Sequence, residues 1–250
     1  MADEMRRRLG VTLPEQADWR TYGEAFSAWR GAVEGLGVLV FQFSMPLRET
    51  RGFSLGDGTP QAIVVNSFDA MTARLFTLLH ELAHLCLDLS GLCLIEEKPP
   101  KQDVPAERFC NRFAASVLVP KEALLAEKTL SERGALERVP DDEVAGIANR
   151  FKVSKYVIWR RLAELGPIGP EAYWGRLDKW AAEPKPSLVR RGRARTPPER
   201  CVAERGRRFT SLVLEAKDRD IITYSDMSDF LSLRLRHLGR LESLVRGKSE

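Results

Sequence analysis

No apolar stretch of this 250-residue chain approaches the roughly 20 residues that a bilayer span requires, so no membrane partner is expected. The first residues, Met1 to Arg8, are charged and carry no apolar run of the kind a secretory signal needs. Cysteine is sparse, with Cys86, Cys93, Cys110 and Cys201 showing no C-x-x-C spacing. That excludes a disulfide framework and suits small buried thiols in a reducing cytoplasm, the expected location. Charge of one sign is also lacking, since the net value is only +4. Scarcest of the chemically versatile residues is histidine, with three in the chain.

Two of those three stand together in His80-Glu81-Leu82-Ala83-His84. Residues four apart share a helix face, so both imidazoles can address one ion, while Glu81 stands one step round and can reach a water on it. This H-E-x-x-H spacing is the arrangement of zinc hydrolases, with Glu81 as general base. Leu75 to Leu79 and Leu85 to Leu87 are almost wholly apolar, which places the polar trio inside a buried helix. Unpartnered His and Glu side chains would be costly there, so the metal reading outweighs coincidence.

Elsewhere the composition, 44% hydrophobic and 30% charged, is that of a globular chain long enough to bury a core. Charge is uneven along it. Lys185 to Arg200 holds six basic residues against Glu199 alone, punctuated by Pro186, Pro197 and Pro198, which favours an exposed linker over nucleic-acid contact. Upstream, Tyr22, Phe26, Trp29 and Val33 recur at helical spacing in a helix from Trp19 to about Leu36. Gly37 to Phe43 reads as a strand, and Arg51–Leu55 and Gln61–Asn66 flank Gly56-Asp57-Gly58 as a hairpin, giving three antiparallel strands. Ser67 should cap the metal helix and Gly91 should stop it.

A further helix starts near Pro105, and Lys121 to Leu136 reads as helical. Asp141 to Leu165 has a helix-turn-helix pattern, and Arg205 to Val245 reads as two or three more helices. The divisions expected are a leader over 1–17, a peptidase domain over 18–140 and a helix-turn-helix-like segment over 141–170. A basic Pro-rich linker over 171–204 and a C-terminal helical region over 205–250 complete them.

Zinc in hydrolases takes three protein ligands and keeps a fourth position for water. His237 lies far along the chain in a charged segment. Glu107 opens a helix whose inner face is small and apolar (Cys110, Ala114, Leu118), but first-turn acids are also favoured by the helix dipole, so position alone leaves it open.

Arg51-Gly52-Phe53, Ala62 to Asn66, Phe76 to His84, Glu107 to Ala115 and Val117 to Pro120, in that order, resemble the ImmA/IrrE family of bacterial metallopeptidases over about Trp19 to Gly166. The resemblance implies an α+β fold, a mainly helical zincin-like peptidase with a small antiparallel sheet, here followed by a C-terminal helical appendage. It implies Glu107 as third Zn²⁺ ligand beside His80 and His84. It also implies cleavage of an Xre-type helix-turn-helix repressor in a mobile-element or stress-response switch. Cys110 departs from the family, which has a small residue such as Ala there, and the leader is too short for the DNA-binding domain that many relatives carry.

Asn111, one turn beyond Glu107, is a candidate to orient a ligand. Ile63, Val64 and Val65 are candidates to receive an extended peptide by β-augmentation. The rival function is DNA binding through Lys155, Tyr156, Arg160 and Arg161 on the second helix of the helix-turn-helix pattern. Lys152, where such turns prefer Gly, argues against it. An inactive peptidase-like scaffold is the third reading, and the intact Glu81 argues against that.

Overall fold

A computed structural model describes residues 1–87, 91–93, 105–131, 136–166, 168–183 and 194–247, with the backbone alone at 91–93. Two short helices, α1 (Ala2–Leu9) and α2 (Leu13–Asp18), precede α3 (Tyr22–Gly35). A reciprocal cap starts α3: Glu24 N donates to Thr21 Oγ1 at 3.1 Å and Thr21 N to Glu24 Oε2 at 3.3 Å. Its Phe26, Trp29 and Val33 are buried, as their spacing predicts. The segment read as a leader is part of the core, since Met5, Leu9 and Val11 join the main apolar cluster.

The sheet departs from expectation. Strands β1 (Leu39–Phe43), β2 (Gly52–Leu55), β3 (Ala62–Asn66) and β4 (Gly91–Cys93) lie in the order β1-β3-β2-β4. The hairpin pairing of β2 with β3 is antiparallel as read, but β1 pairs β3 in parallel, Leu39 opposite Ala62, so the sheet is mixed rather than antiparallel. Reading strands as neighbours in chain order missed the crossover between β1 and β2. Asn66, fully buried, fixes that connection: its Nδ2 donates to Met45 O at 2.8 Å and Thr50 O at 2.9 Å.

Helix α4 (Met71–Cys86), which carries His80 and His84, begins three residues later than Ser67 would place it. Asn66 Oδ1 accepts from Phe68 N at 3.0 Å and Asp69 N donates to Asn66 O at 3.2 Å, so this stretch turns before the helix starts. Residues 88–90, where its end was expected, and the break at Lys98 to Lys101 lie outside the described residues. Helix α5 (Pro105–Leu118) lies against α4. After it come α6 (Lys121–Leu125), α7 (Lys128–Ser131), α8 (Asp141–Phe151) and α9 (Lys155–Leu165). Val144, Ile147, Ile158 and Leu162 of α8 and α9 belong to the same apolar cluster as α4 and α5.

Two helices occupy the ends of the stretch read as linker, with residues 184–193 outside the described ones. Helix α10 (Pro170–Ala182) packs on α9: Arg176 stacks 4.1 Å from the Trp159 ring and Trp180 is buried. The other, α11 (Pro197–Arg205), joins α12 (Arg207–Asp218), α13 (Tyr224–Leu231) and α14 (Leu238–Arg246) around a second apolar cluster of Cys201, Leu214, Met227, Leu231 and Leu241. This C-terminal unit docks on α3 and β1. Phe209 meets Phe41 of β1 edge-on at 5.2 Å, and Arg30 Nη1 and Gln42 Nε2 donate to Ala203 O at 2.6 and 2.8 Å.

Candidate metal centre

Apolar packing on both sides makes α4 a rigid platform. Leu75, Leu78, Leu79 and Leu82 are essentially inaccessible, and the polar residues between them have nowhere to turn but toward α5 and β2. His80 is 3% exposed, His84 7% and Glu81 0%. From α5, Glu107 reaches back with one carboxylate oxygen to each imidazole: Oε2 lies 3.2 Å from His80 Nε2 and Oε1 3.1 Å from His84 Nε2. The two Nε2 atoms are themselves 3.1 Å apart. Among the described residues this is the one cluster of three such donors, and His237 lies in the C-terminal unit outside it.

The donor set fits zinc. A tetrahedral Zn²⁺ with ligands at about 2.0–2.1 Å holds neighbouring donors about 3.3–3.4 Å apart, close to the separation of the two imidazole nitrogens and to that of each nitrogen from its own Glu107 oxygen. Two imidazoles and one carboxylate are also the ligand set of several zinc hydrolases.

Electrostatics follow from crowding. The flanking imidazoles hold the Glu107 carboxyl far below the usual carboxylate range. His84 is raised to about 10, chiefly by hydrogen bonding to Cys110 and then to Glu107, against the opposing effect of burial. Cys110, fully buried, therefore sits against a candidate ligand on the face of α5 that carries Glu107. Glu81 is raised, because burial outweighs the nearby His80 and His84, and neither of its oxygens has a hydrogen-bond partner of standard geometry. A buried carboxylate with no partner is expensive to keep, which points to a use in the chemistry.

The other sequence candidates fare differently. Asn111 is half-buried beside the site, with no side-chain hydrogen bond among the described residues. Ile63, Val64 and Val65 are not an edge: β3 is paired on both sides and all three are buried, so β-augmentation there is excluded. On α9, Lys155 is ion-paired with Glu183 at 2.5 Å and stacked on Trp180, and Tyr156 meets the Trp180 ring edge-on. Arg161 is buried, donating to Val119 O at 2.9 Å and Glu164 at 2.7 Å, whereas Tyr156 stays exposed and Arg160 half-buried.

The peptidase M78 family model, described as the IrrE N-terminal-like domain, matches residues 33–163, just over half of the chain. The chain belongs to this peptidase family. No curated protein and no solved structure matches it. The matched span runs from the end of α3 through most of α9, so it contains the sheet, both metal-site helices and the helix-turn-helix-like pair. That pair is thus part of the M78 domain itself. The C-terminal unit lies outside the match.

Three residues of the M78 domain that shape the site escaped the sequence reading. Asn66 ties the sheet to the start of α4. Gly52 lets β2 approach α4, since a Cβ there would lie 2.5 Å from Thr77 Cγ2 and 2.7 Å from Val64 O. Ser54 is 2% exposed with its hydroxyl unpartnered. Gly52 was quoted in a motif, but a strand Gly marks close backbone approach only once its neighbour is known.

Proposed function

We propose that this protein is a zinc-dependent endopeptidase that hydrolyses a peptide bond in a helix-turn-helix repressor of the Xre type. The observation that carries the catalytic reading is the convergence of His80, His84 and Glu107 within metal-binding reach of one another, beside a buried Glu81. The substrate class rests on the family.

His80 and His84 offer Nε2 lone pairs and Glu107 a carboxylate oxygen. When bound there, Zn²⁺ supplies Lewis acidity toward the scissile carbonyl and toward a water molecule. Glu81 takes the water's proton as oxygen attacks the carbonyl carbon, then delivers it to the departing amine nitrogen. Its burial favours that role, because desolvation raises its basicity. Holding the base on α4 with both histidines fixes its position relative to the ligands and limits motion before reaction.

The test uses the purified protein and a small helix-turn-helix repressor of the Xre type. The parent protein is expected to cut the repressor, while Glu81→Gln keeps its metal and loses about 10²–10⁴-fold in rate. Cleavage by Glu81→Gln at the parent rate contradicts the assignment.

A further inference from the structure

Strand β2 presents alternate residues to α4: Gly52 and Ser54 are buried, while Phe53 is half-buried and Leu55 exposed. At Gly52 the strand touches the helix at Thr77. Two residues along a strand advance about 6.6 Å and four along a helix about 6.0 Å. Because β3 is antiparallel to β2 and the chain turns back from it into α4, the helix runs in the direction of β2, so the residue beside Ser54 is the one a turn beyond Thr77, Glu81. The two polar groups that meet there are both orphans: Ser54 Oγ and both Glu81 oxygens are buried without a hydrogen-bond partner of standard geometry. A serine hydroxyl rotates freely and can donate, whereas an ionised carboxylate can only accept, so each supplies what the other lacks.

We propose that Ser54 is the positioning residue for Glu81, donating its hydroxyl hydrogen to one carboxylate oxygen and leaving the other to handle the proton. The inference rests on the peptidase reading for its functional meaning, but the contact itself does not. Anchoring one oxygen stops the carboxylate from rotating about its last bond, which a base must not do during proton transfer. Gly52 is the second half of the device, because a side chain there would hold β2 away from α4 and lift Ser54 out of reach.

Isotope-edited infrared spectroscopy of the full chain, zinc-loaded and metal-free, tests this. The Glu81 carboxylate band is identified by its loss in Glu81→Gln. Ser54→Ala, which removes one oxygen and adds no volume, is expected to shift that band in both samples, and Ser54→Thr, which keeps the hydroxyl, is expected to restore it. An unmoved band in Ser54→Ala overturns the proposal, as does a Ser54→Thr band matching that of Ser54→Ala. Elemental analysis of the same samples separates the two claims. A parent protein without zinc contradicts the peptidase reading, while the metal-free spectra still decide whether Ser54 holds Glu81.

Discussion

Gly206→Ala isolates the attachment of the C-terminal unit. Gly206 joins α11 to α12 with φ 84° and ψ 156°, a conformation essentially reserved for glycine. A Cβ there would collide with Glu34 Oε1 and lie 2.7 Å from Arg30 Nη2 and 2.9 Å from Val40 O. None of these can retreat easily. Arg30 and Glu34 are buried and paired at 3.1 Å, Arg30 also donates to Val40 O, and Glu34 Oε2 accepts from Arg208 N at 3.4 Å.

Backbone strain of about 1–3 kcal/mol and overpacking of a similar size add up to roughly 2–6 kcal/mol. If Arg30 and Glu34 are pulled apart instead, an uncompensated buried charge costs about 3–5 kcal/mol. Either route falls on the contact between the units, leaving α4, α5 and the candidate metal ligands untouched. Chemical denaturation followed by limited proteolysis is the assay. The variant should lose the C-terminal unit at lower denaturant than the parent, while a fragment containing the metal site stays protected. Unfolding of Gly206→Ala in one step at the parent midpoint would refute this account of the interface.

Gly52→Ala should cost about 1–3 kcal/mol by overpacking against Thr77 and Val64, and should impair the site more than its stability loss explains; thermal melts with metal analysis check both. In the metal-free chain His84 is raised from 6.5 to about 10, a contribution complete below 6.5 and lost as pH rises through 10. Glu107 is depressed below 4.5, a contribution present above that value and lost on acidification. The pair therefore favours the metal-free fold between about pH 4.5 and 6.5. The melting temperature in chelator should fall from there toward pH 10, and a steady rise would contradict the pairing.

How legible this was from sequence depended on whether the signal was local. The His80–His84 spacing lies within one helix, so helical geometry alone brought both imidazoles to one face. The apolar stripes of α3, α8 and α9 are likewise periodic and are buried where the pattern placed them, except Tyr22 at the start of α3, which is exposed. Pairing between distant segments is not periodic. The parallel β1–β3 ladder depends on a crossover fixed by Asn66, whose side-chain bonds to Met45 and Thr50 leave no local trace. Ser54 read as an ordinary strand residue because its meaning comes from α4. The docking of the C-terminal unit turns on Gly206 and on Arg30 and Glu34, far apart in the chain and unremarkable in composition. Lys155 and Arg161 looked like nucleic-acid contacts for the same reason, since their partners Glu183 and Val119 lie on other segments.

The central claim is that His80, His84 and Glu107 together bind one catalytic zinc. Elemental analysis of full-length protein purified without added metal, run beside three variants, tests it most directly. The account predicts one Zn²⁺ per chain in the parent and in Glu81→Gln, and near-complete loss in His84→Ala and Glu107→Ala. Zinc retained at parent level by Glu107→Ala, or a parent protein well below half an equivalent, would contradict it.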